Sequence, residues 1–412
     1  MAIDHEELKR RRQQRQAQRR AQQKRTIVKL VVAGIALALC GVIVAIITTT
    51  AGRSKSDPKP SVPETTVARD LTTIRLAAAG DVNITEAILN AGGADQDYNN
   101  VFMDVAHLLA DADITALNFE GILYGTPSAE TRSAPPQLLQ SLADAGVDMV
   151  QLANSYSIRG GISGLKETIN AVKVAGLEPL GVYESNQSFA QEKGYTIMQV
   201  QGIRIAFVAF TKGMDGMALP AGSEDCVNLL YTDYSSTYQQ VDTEGITAVL
   251  EAVAQEKPDL TVAMLHWGSE YNDTVSKSQE EICNLLRENG VDAILGTHSH
   301  FLQKMVLDSE TGTFVAYSLG DFLGDAPRAG SEYSVILELE ITKDNEAGTT
   351  AITGFAYTPV FIAAQKDQPV RILRIREAIA AYEAGQIDRV SQQTYEAMKY
   401  ALTRIEERIA GE

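Results

Sequence analysis

The chain has 412 residues, 45% of them apolar, and a formal charge of −17. That is ample apolar material for a large core, and so acidic a balance argues against holding nucleic acid through a broad surface field. The charge is unevenly placed. Residues 1–25 hold nine Lys/Arg against three Asp/Glu, so with Lys29 also set aside residues 51–412 carry about −24.

The first predicted element is an uncharged run of 18 residues, Leu30 to Ile47. At 1.5 Å per residue it is long enough to cross a bilayer core. The basic stretch from Lys9-Arg10-Arg11-Arg12 to Lys24-Arg25 precedes it. The positive-inside rule then makes residues 1–25 a cytoplasmic tail and residues 26–50 a single transmembrane helix, with everything beyond outside the cell membrane. A cleaved signal peptide is the rival reading. Its apolar region runs about 7–15 residues and ends in a small-x-small site, which Thr48-Thr49-Thr50-Ala51-Gly52-Arg53 matches poorly. The basic tail reads as a topology signal with affinity for anionic membrane lipid, not for nucleic acid. Residues 51–71 are a Pro/Ser/Thr-rich tether.

From Thr72 onward, short apolar runs alternate with amphipathic segments. Ile74–Ala79 reads as a strand, residues 84–92 and 98–111 as helices and Ile114–Leu117 as a strand. A helix near 135–145 and the strand Val147–Leu152 follow. The helix at 163–175 stops at Gly176, and Leu177–Val182 is the next strand. Tyr195–Val200 and Ile203–Phe210 form a predicted hairpin with its turn at Gln201-Gly202. Residues 212–240 read as a long loop, rated an ordinary surface insertion before a partner surface. Helices near 243–256 and 275–289 then alternate with strands Leu260–Leu265 and Val291–Leu295. Beyond His300 come strands at 302–307, 313–318, 333–342 and 349–362, and residues 370–410 look helical with a break near Gly385-Gln386. The alternation predicts an α/β fold with an antiparallel C-terminal half. Cys226 and Cys283 could pair or remain buried thiols.

Three of the five histidines fall within 35 residues, in His266-Trp267-Gly268-Ser269-Glu270-Tyr271 and Gly296-Thr297-His298-Ser299-His300. Asp81, Glu120, Asn154, His266 and His298 each lie just past the carboxyl end of a predicted strand, the edge where open α/β sheets bind ligands. Singly, each has a plainer explanation: a helix cap for Asp81, a core residue for His266 beside Trp267. The conjunction points to one metal site, with Asn154 counted among its ligands. Carboxylate and imidazole without thiolate suit Mn, Fe or Zn, one or two ions, and such a site serves hydrolysis of a phosphoester or related bond.

From Ile74 to Ile362 the chain resembles the CapA family of capsule and poly-γ-glutamate synthesis proteins. The resemblance rests on Gly80-Asp81-Val82, Asn118-Phe119-Glu120-Gly121, Leu152-Ala153-Asn154, the two histidine motifs and Tyr317-Ser318-Leu319-Gly320-Asp321-Phe322. It implies a four-layer αββα metallophosphatase-like sandwich over residues 72–365, with residues 366–412 a C-terminal helical segment. It also implies metal ligation by Asp81, Glu120, His266, His298 and His300, with Glu120 as the bridge. The implied partners are a capsule polymer or its synthase proteins.

The chain departs from the family at Ala153-Asn154-Ser155-Tyr156-Ser157-Ile158-Arg159, where the usual pattern is Ala-Asn-Asn-His-Ala-x-Asp. Ser155 replaces an expected ligand and Tyr156 an expected imidazole; Ser299 and Asp321 stand where Pro and Asn are usual. Two accounts fit. In one, the site is eroded and the fold persists as a scaffold. In the other, Tyr156 and Arg159 form a rearranged catalytic site, Arg159 clamping an anionic group.

Overall fold

A computed structural model describes residues 69–364, 369–386 and 390–411. The predicted tail and transmembrane helix at residues 1–50, and all but the end of the tether, lie outside the described residues. Among the described residues no helix is long and apolar enough to cross a membrane.

Fourteen strands among the described residues make two sheets. The first contains β1 (Leu71–Asn83), β2 (Ile114–Glu120), β3 (Met149–Gln151) and β4 (Glu178–Leu180), all parallel. The antiparallel β12 (Tyr333–Asp344), β13 (Thr349–Ala363) and β14 (Arg371–Arg374) extend it in the order β14-β13-β12-β1-β2-β3-β4. The second contains β5 (Tyr195–Val200), β6 (Ile203–Thr211), β7 (Leu260–His266), β8 (Ala293–Thr297), β9 (Met305–Leu307) and β10 (Phe314–Ala316). Its order is β5-β6-β7-β8-β10-β9, with β6, β7, β8 and β10 parallel. The hairpin falls where expected. Gln201 and Gly202 both take left-handed φ (49° and 83°), the twist a two-residue turn needs.

Strand alternation then builds the layers. Ile114 and Ala116 of β2 pack across to Val262 and Met264 of β7 and to Ala293 and Leu295 of β8. The opposite face of β2, Leu117 and Phe119, packs with Leu138 and Leu142 of helix Pro136–Ala145. On the far side, Ala263, Leu265 and Ile294 meet helices Thr243–Glu256 and Lys277–Glu288. The result is helix–sheet–sheet–helix, the four-layer α/β sandwich that the resemblance implies. Each fully buried Leu or Ile side chain stabilises it by about 1.5–3 kcal/mol.

Several expectations need correction. The helix predicted at 98–111 is two, Asn99–Phe102 and Ala106–Asp111. In the gap between them Asp104 pairs with Arg371 of β14. The C-terminal segment is not simply helical. Ile372 and Leu373 of β14 point into different cores, so a strand buried on both faces presents an adjacent apolar pair that imitates a helix face. β14 pairs with β13, and Met398, Ala401 and Ile405 of helix Gln392–Ala410 pack into the core between the sheets, so the segment is part of the sandwich. The helix Asn186–Glu192, with no fully buried residue, and the three-residue strand β11 (Asp321–Leu323) were not predicted. Cys226 and Cys283 are both buried free thiols.

Short as it is, β11 shapes the end of the first sheet. β12 pairs with β1 from Leu71 to Ala78 and β11 takes over beyond it, in parallel, placing Asp321 beside Asp81. The exchange needs close backbone approach. A Cβ on Gly80 would lie 1.7 Å from the Gly320 carbonyl oxygen, which itself accepts from Asp81 N at 3.0 Å. Gly80→Ala is therefore expected to cost about 1–3 kcal/mol through overpacking. Thermal unfolding reads this directly; an unchanged Tm would show that β1 and β11 do not need this contact.

Candidate metal centre

The centre sits where the inter-sheet rows run out of apolar residues. On β2 the row Ile114, Ala116 continues as Asn118 and Glu120; on β7 the row Val262, Met264 continues as His266. β1 would miss the site on strict alternation, because Asp81 has the wrong parity after Ile74, Leu76 and Ala78. An extra residue between Ala78 and Asp81, opposite Ala116 to Asn118 on β2, shifts the register and swings Asp81 to the inner face. His298 and His300 follow β8, and the chain there is not extended. Both have left-handed backbones, φ 86° and 58°, in a tight turn. Such conformations in non-glycine residues cost about 1–3 kcal/mol each and persist only when the surroundings enforce them. Here Asp81 Oδ2 accepts from His298 N at 3.1 Å, and Ser299 Oγ donates to Phe301 O at 2.6 Å.

Two ligand groups result. Glu120, His266 and His298 form one, and Asp81, His300 and Asp321 the other; within each, the candidate donor atoms lie within 4.8 Å of one another, and every member is buried. Asn118 joins them. Its Nδ2 lies 2.6 Å from Asp81 Oδ1, 3.3 Å from Glu120 Oε1 and 3.3 Å from His266 Nδ1. Two amide hydrogens cannot serve all three acceptors. His266 Nε2 meets Ser155 Oγ at 3.1 Å. His300 Nδ1 lies 2.8 Å from Asp321 Oδ1, which also accepts from Asn83 Nδ2 at 2.8 Å.

The electrostatics follow from burial. It pushes Asp81 up to about 6, with Asp321 adding and His300 opposing. Glu120 is driven well above the carboxylate range by burial and then by Asp81. Burial likewise raises Asp321. His266 and His298 are held well below the imidazole range, first by burial and then by neighbouring positive charge, so both are neutral with a lone pair to give. His300 is the exception. Burial works against its charge, but Asp321, Glu120 and Asp81 outweigh it and bring it up to about 10. Nδ1 of His298 is buried with no hydrogen-bond partner among the described residues. A buried lone pair without a donor, beside carboxylates reluctant to ionise, is what a divalent cation would satisfy. The donor set fits one.

Five of the six expected ligands therefore converge: Asp81, Glu120, His266, His298 and His300. Asn154 is placed one step back. Its Nδ2 donates to Asn118 Oδ1 (3.1 Å) and Phe119 O (2.7 Å), and its Oδ1 accepts from Tyr156 N (3.0 Å), so it orients Asn118. Tyr156 lines the cleft beside the centre, a cavity of about 460 Å³, and burial pushes its phenol up to about 12. Arg159 does not line that cleft. It pairs with Asp215 at 3.4 Å on the exposed side of the same turn. Asn118 and Asp321 were not expected as site residues. The strand parity of Asn118 with Glu120 signals the first; Asp321 stands in a family motif as a departure from Asn, but its place beside Asp81 depends on β11 reaching β1.

Comparisons with known proteins show the family. Residues 75–326 match the family described as "Bacterial capsule synthesis protein PGA_cap". The capsule biosynthesis protein CapA of Bacillus anthracis is 25% identical over 289 residues, 66% of this chain and 64% of that protein. The chain thus spans just under two thirds of that relative's length. The PGA biosynthesis protein CapA of Bacillus subtilis is 24% identical over 293 residues, 69% of this chain and 70% of that one. Among solved structures, the calcineurin-like phosphoesterase YfkN from Bacillus subtilis aligns at 14% identity and TM-score 0.43, covering 81% of this chain and 99% of that one.

A pH dependence follows from the raised groups. Without metal, His300 keeps its proton up to about pH 10 and Asp81 up to about pH 6. Metal binding must expel both, so affinity rises with pH. The expected slope is at least about tenfold per unit below pH 10 and steeper toward acid, since burial makes Glu120 and Asp321 hold their protons as well. Anaerobic Mn²⁺ titrations between about pH 5.5 and 8, short of hydroxide formation, measure it; a flat profile would exclude ligation by these residues.

Proposed function

The chain belongs to the bacterial capsule synthesis family PGA_cap, and from that membership we propose that it makes, exports or attaches an extracellular polymer of the poly-γ-glutamate type through metal-dependent hydrolase or transferase chemistry. The observation that carries the chemical half is the pair of buried ligand groups around Asn118. A scaffold under no demand for metal would have little reason to keep two histidines in left-handed backbone at a buried carboxylate cluster.

Asp81, Glu120, Asp321, His266, His298 and His300 would hold one or two divalent ions, with Mn, Fe and Zn all compatible with these donors. Bound there, a divalent ion supplies Lewis-acid activation of a water and of the bond to be cleaved. The protein's own part is positional. Asn118 and Asn154 fix the ligands from behind. Asp321 fixes the His300 ring by its 2.8 Å contact. Tyr156 keeps its proton at neutral pH, so its hydroxyl can donate a hydrogen bond to a leaving oxygen where the family usually has an imidazole. The expected transmembrane helix at residues 26–50 would hold the domain at the outer face of the cell membrane, near the synthase proteins that deliver polymer.

A second reading is a non-catalytic scaffold for polymer or synthase, favoured by one observation: a hydroxyl, Ser155 Oγ, faces His266 where a further ligand is usual. One substitution separates the two. His298→Ala should abolish polymer formation and any phosphoesterase turnover while leaving the protein folded. Polymer output that survives His298→Ala but fails when residues 26–50 are deleted would establish the scaffold instead.

A further inference from the structure

The cleft beside the metal centre is lined by carboxylates, Glu86, Glu270, Asp321 and Asp325 among them, and by a single Lys or Arg among the described residues, Arg132. Nine other arginines of the described residues are engaged in ion pairs. Arg69, Arg132 and Arg328 have none among the described residues, and of these only Arg132 lines the cleft. Its one side-chain hydrogen bond among those residues is from Nη1 to Ile84 O at 2.9 Å, and its guanidinium carbon lies over the Tyr156 ring, 4.9 Å from the centroid. It is half-buried, so leaving it without an anion has a real cost. Its backbone is left-handed, φ 57°, in a turn clasped by Ser128 and Ser133, whose backbone N–H groups each donate to the other's carbonyl at 2.9 Å. The turn is fastened to the sheet end as well: Ile122 N donates to Arg132 O at 2.8 Å, and any Cβ on Gly121 would crowd that carbonyl at 3.0 Å.

We propose that Arg132, lying over Tyr156, is the anion-binding residue of this cleft, taking an oxyanion of the ligand and holding it beside the metal centre. The assignment rests on reading the cleft as the reaction site. Arg159 was expected in this role, but it is turned outward to Asp215. An arginine suits it because a planar guanidinium carries a fixed fork of N–H donors, which matches phosphoryl and carboxylate oxygens alike. The Tyr156 ring beneath it offers a cation–π contact that helps hold it in the cleft. The ligand class is an oxyanion, phosphoryl or carboxylate, entering a cleft whose other cation, His300, is already paired with Asp321.

Calorimetric titration of the full chain with inorganic phosphate and with glutarate, each with and without Mn²⁺, tests this. Arg132→Met should weaken at least one of the two anions by about tenfold or more at equal metal content, Arg132→Lys should weaken it less, and Arg159→Met should stay within about twofold. Loss of phosphate binding would identify a phosphoryl ligand and loss of glutarate binding a carboxylate ligand; either supports the assignment. Arg132→Met binding both anions as the parent does would overturn it. So would an equal loss in Arg159→Met, or a parent chain that binds neither anion in either metal state. Circular dichroism of each variant confirms folding, and Arg132→Lys keeps the comparison valid should Arg132→Met unfold. Metal content, measured in parallel, is independent of this readout: a chain that binds anion through Arg132 but no metal would sink the metal-dependent chemistry and leave the anion site standing.

Discussion

Three carboxylates and three imidazoles are buried together between the ends of two packed sheets. Taking an ion out of water costs several kcal/mol unless a counter-charge replaces the hydration. His300 supplies one positive charge. Burial meets the remainder by tightening the carboxylates' hold on their protons and by keeping protons off His266 and His298, and His298 Nδ1 is left with nothing to bond. A divalent cation would relieve all of these at once, since it lets carboxylates ionise and accepts neutral imidazole. The rest of the local architecture can be understood as holding that arrangement in place.

The supports come from separate parts of the chain. A one-residue register shift in β1 turns Asp81 inward. Glycine at 80 lets β11 approach and bring Asp321 alongside. Glycine at 296 does the same for β8, since a Cβ there would lie 2.0 Å from Tyr317 O. Left-handed backbone at His298 and His300 turns the chain sharply at the end of β8. Each feature would be hard to rationalise alone; together they converge on a small buried polar space.

The elements with strong periodicity, such as the hairpin of β5 and β6 and the helices Pro136–Ala145 and Thr243–Glu256, were legible in the sequence because one period dominated each. So were the ligands that end long apolar strands. What was not legible depended on tertiary events. β11 is three residues long and pairs with β1 only beyond Ala78, where the pairing with β12 ends, so Asp321 was visible as a motif departure but not as a neighbour of Asp81. Asn154 was counted as a ligand because it lies just past the end of a predicted strand, and only the fold shows its amide committed to Asn118 and Phe119. Arg159 and Arg132 look alike in sequence; an ion pair with Asp215 separates them in space.

The central claim is that the buried cluster is a metal site, and the most direct test counts the metal. The full chain, supplied with Mn²⁺ and Zn²⁺ and then freed of excess, should retain about one or two equivalents by elemental analysis, and His266→Ala should lose most of it while staying folded. A folded chain that retains no metal would contradict the account, and the buried charges would then need another explanation.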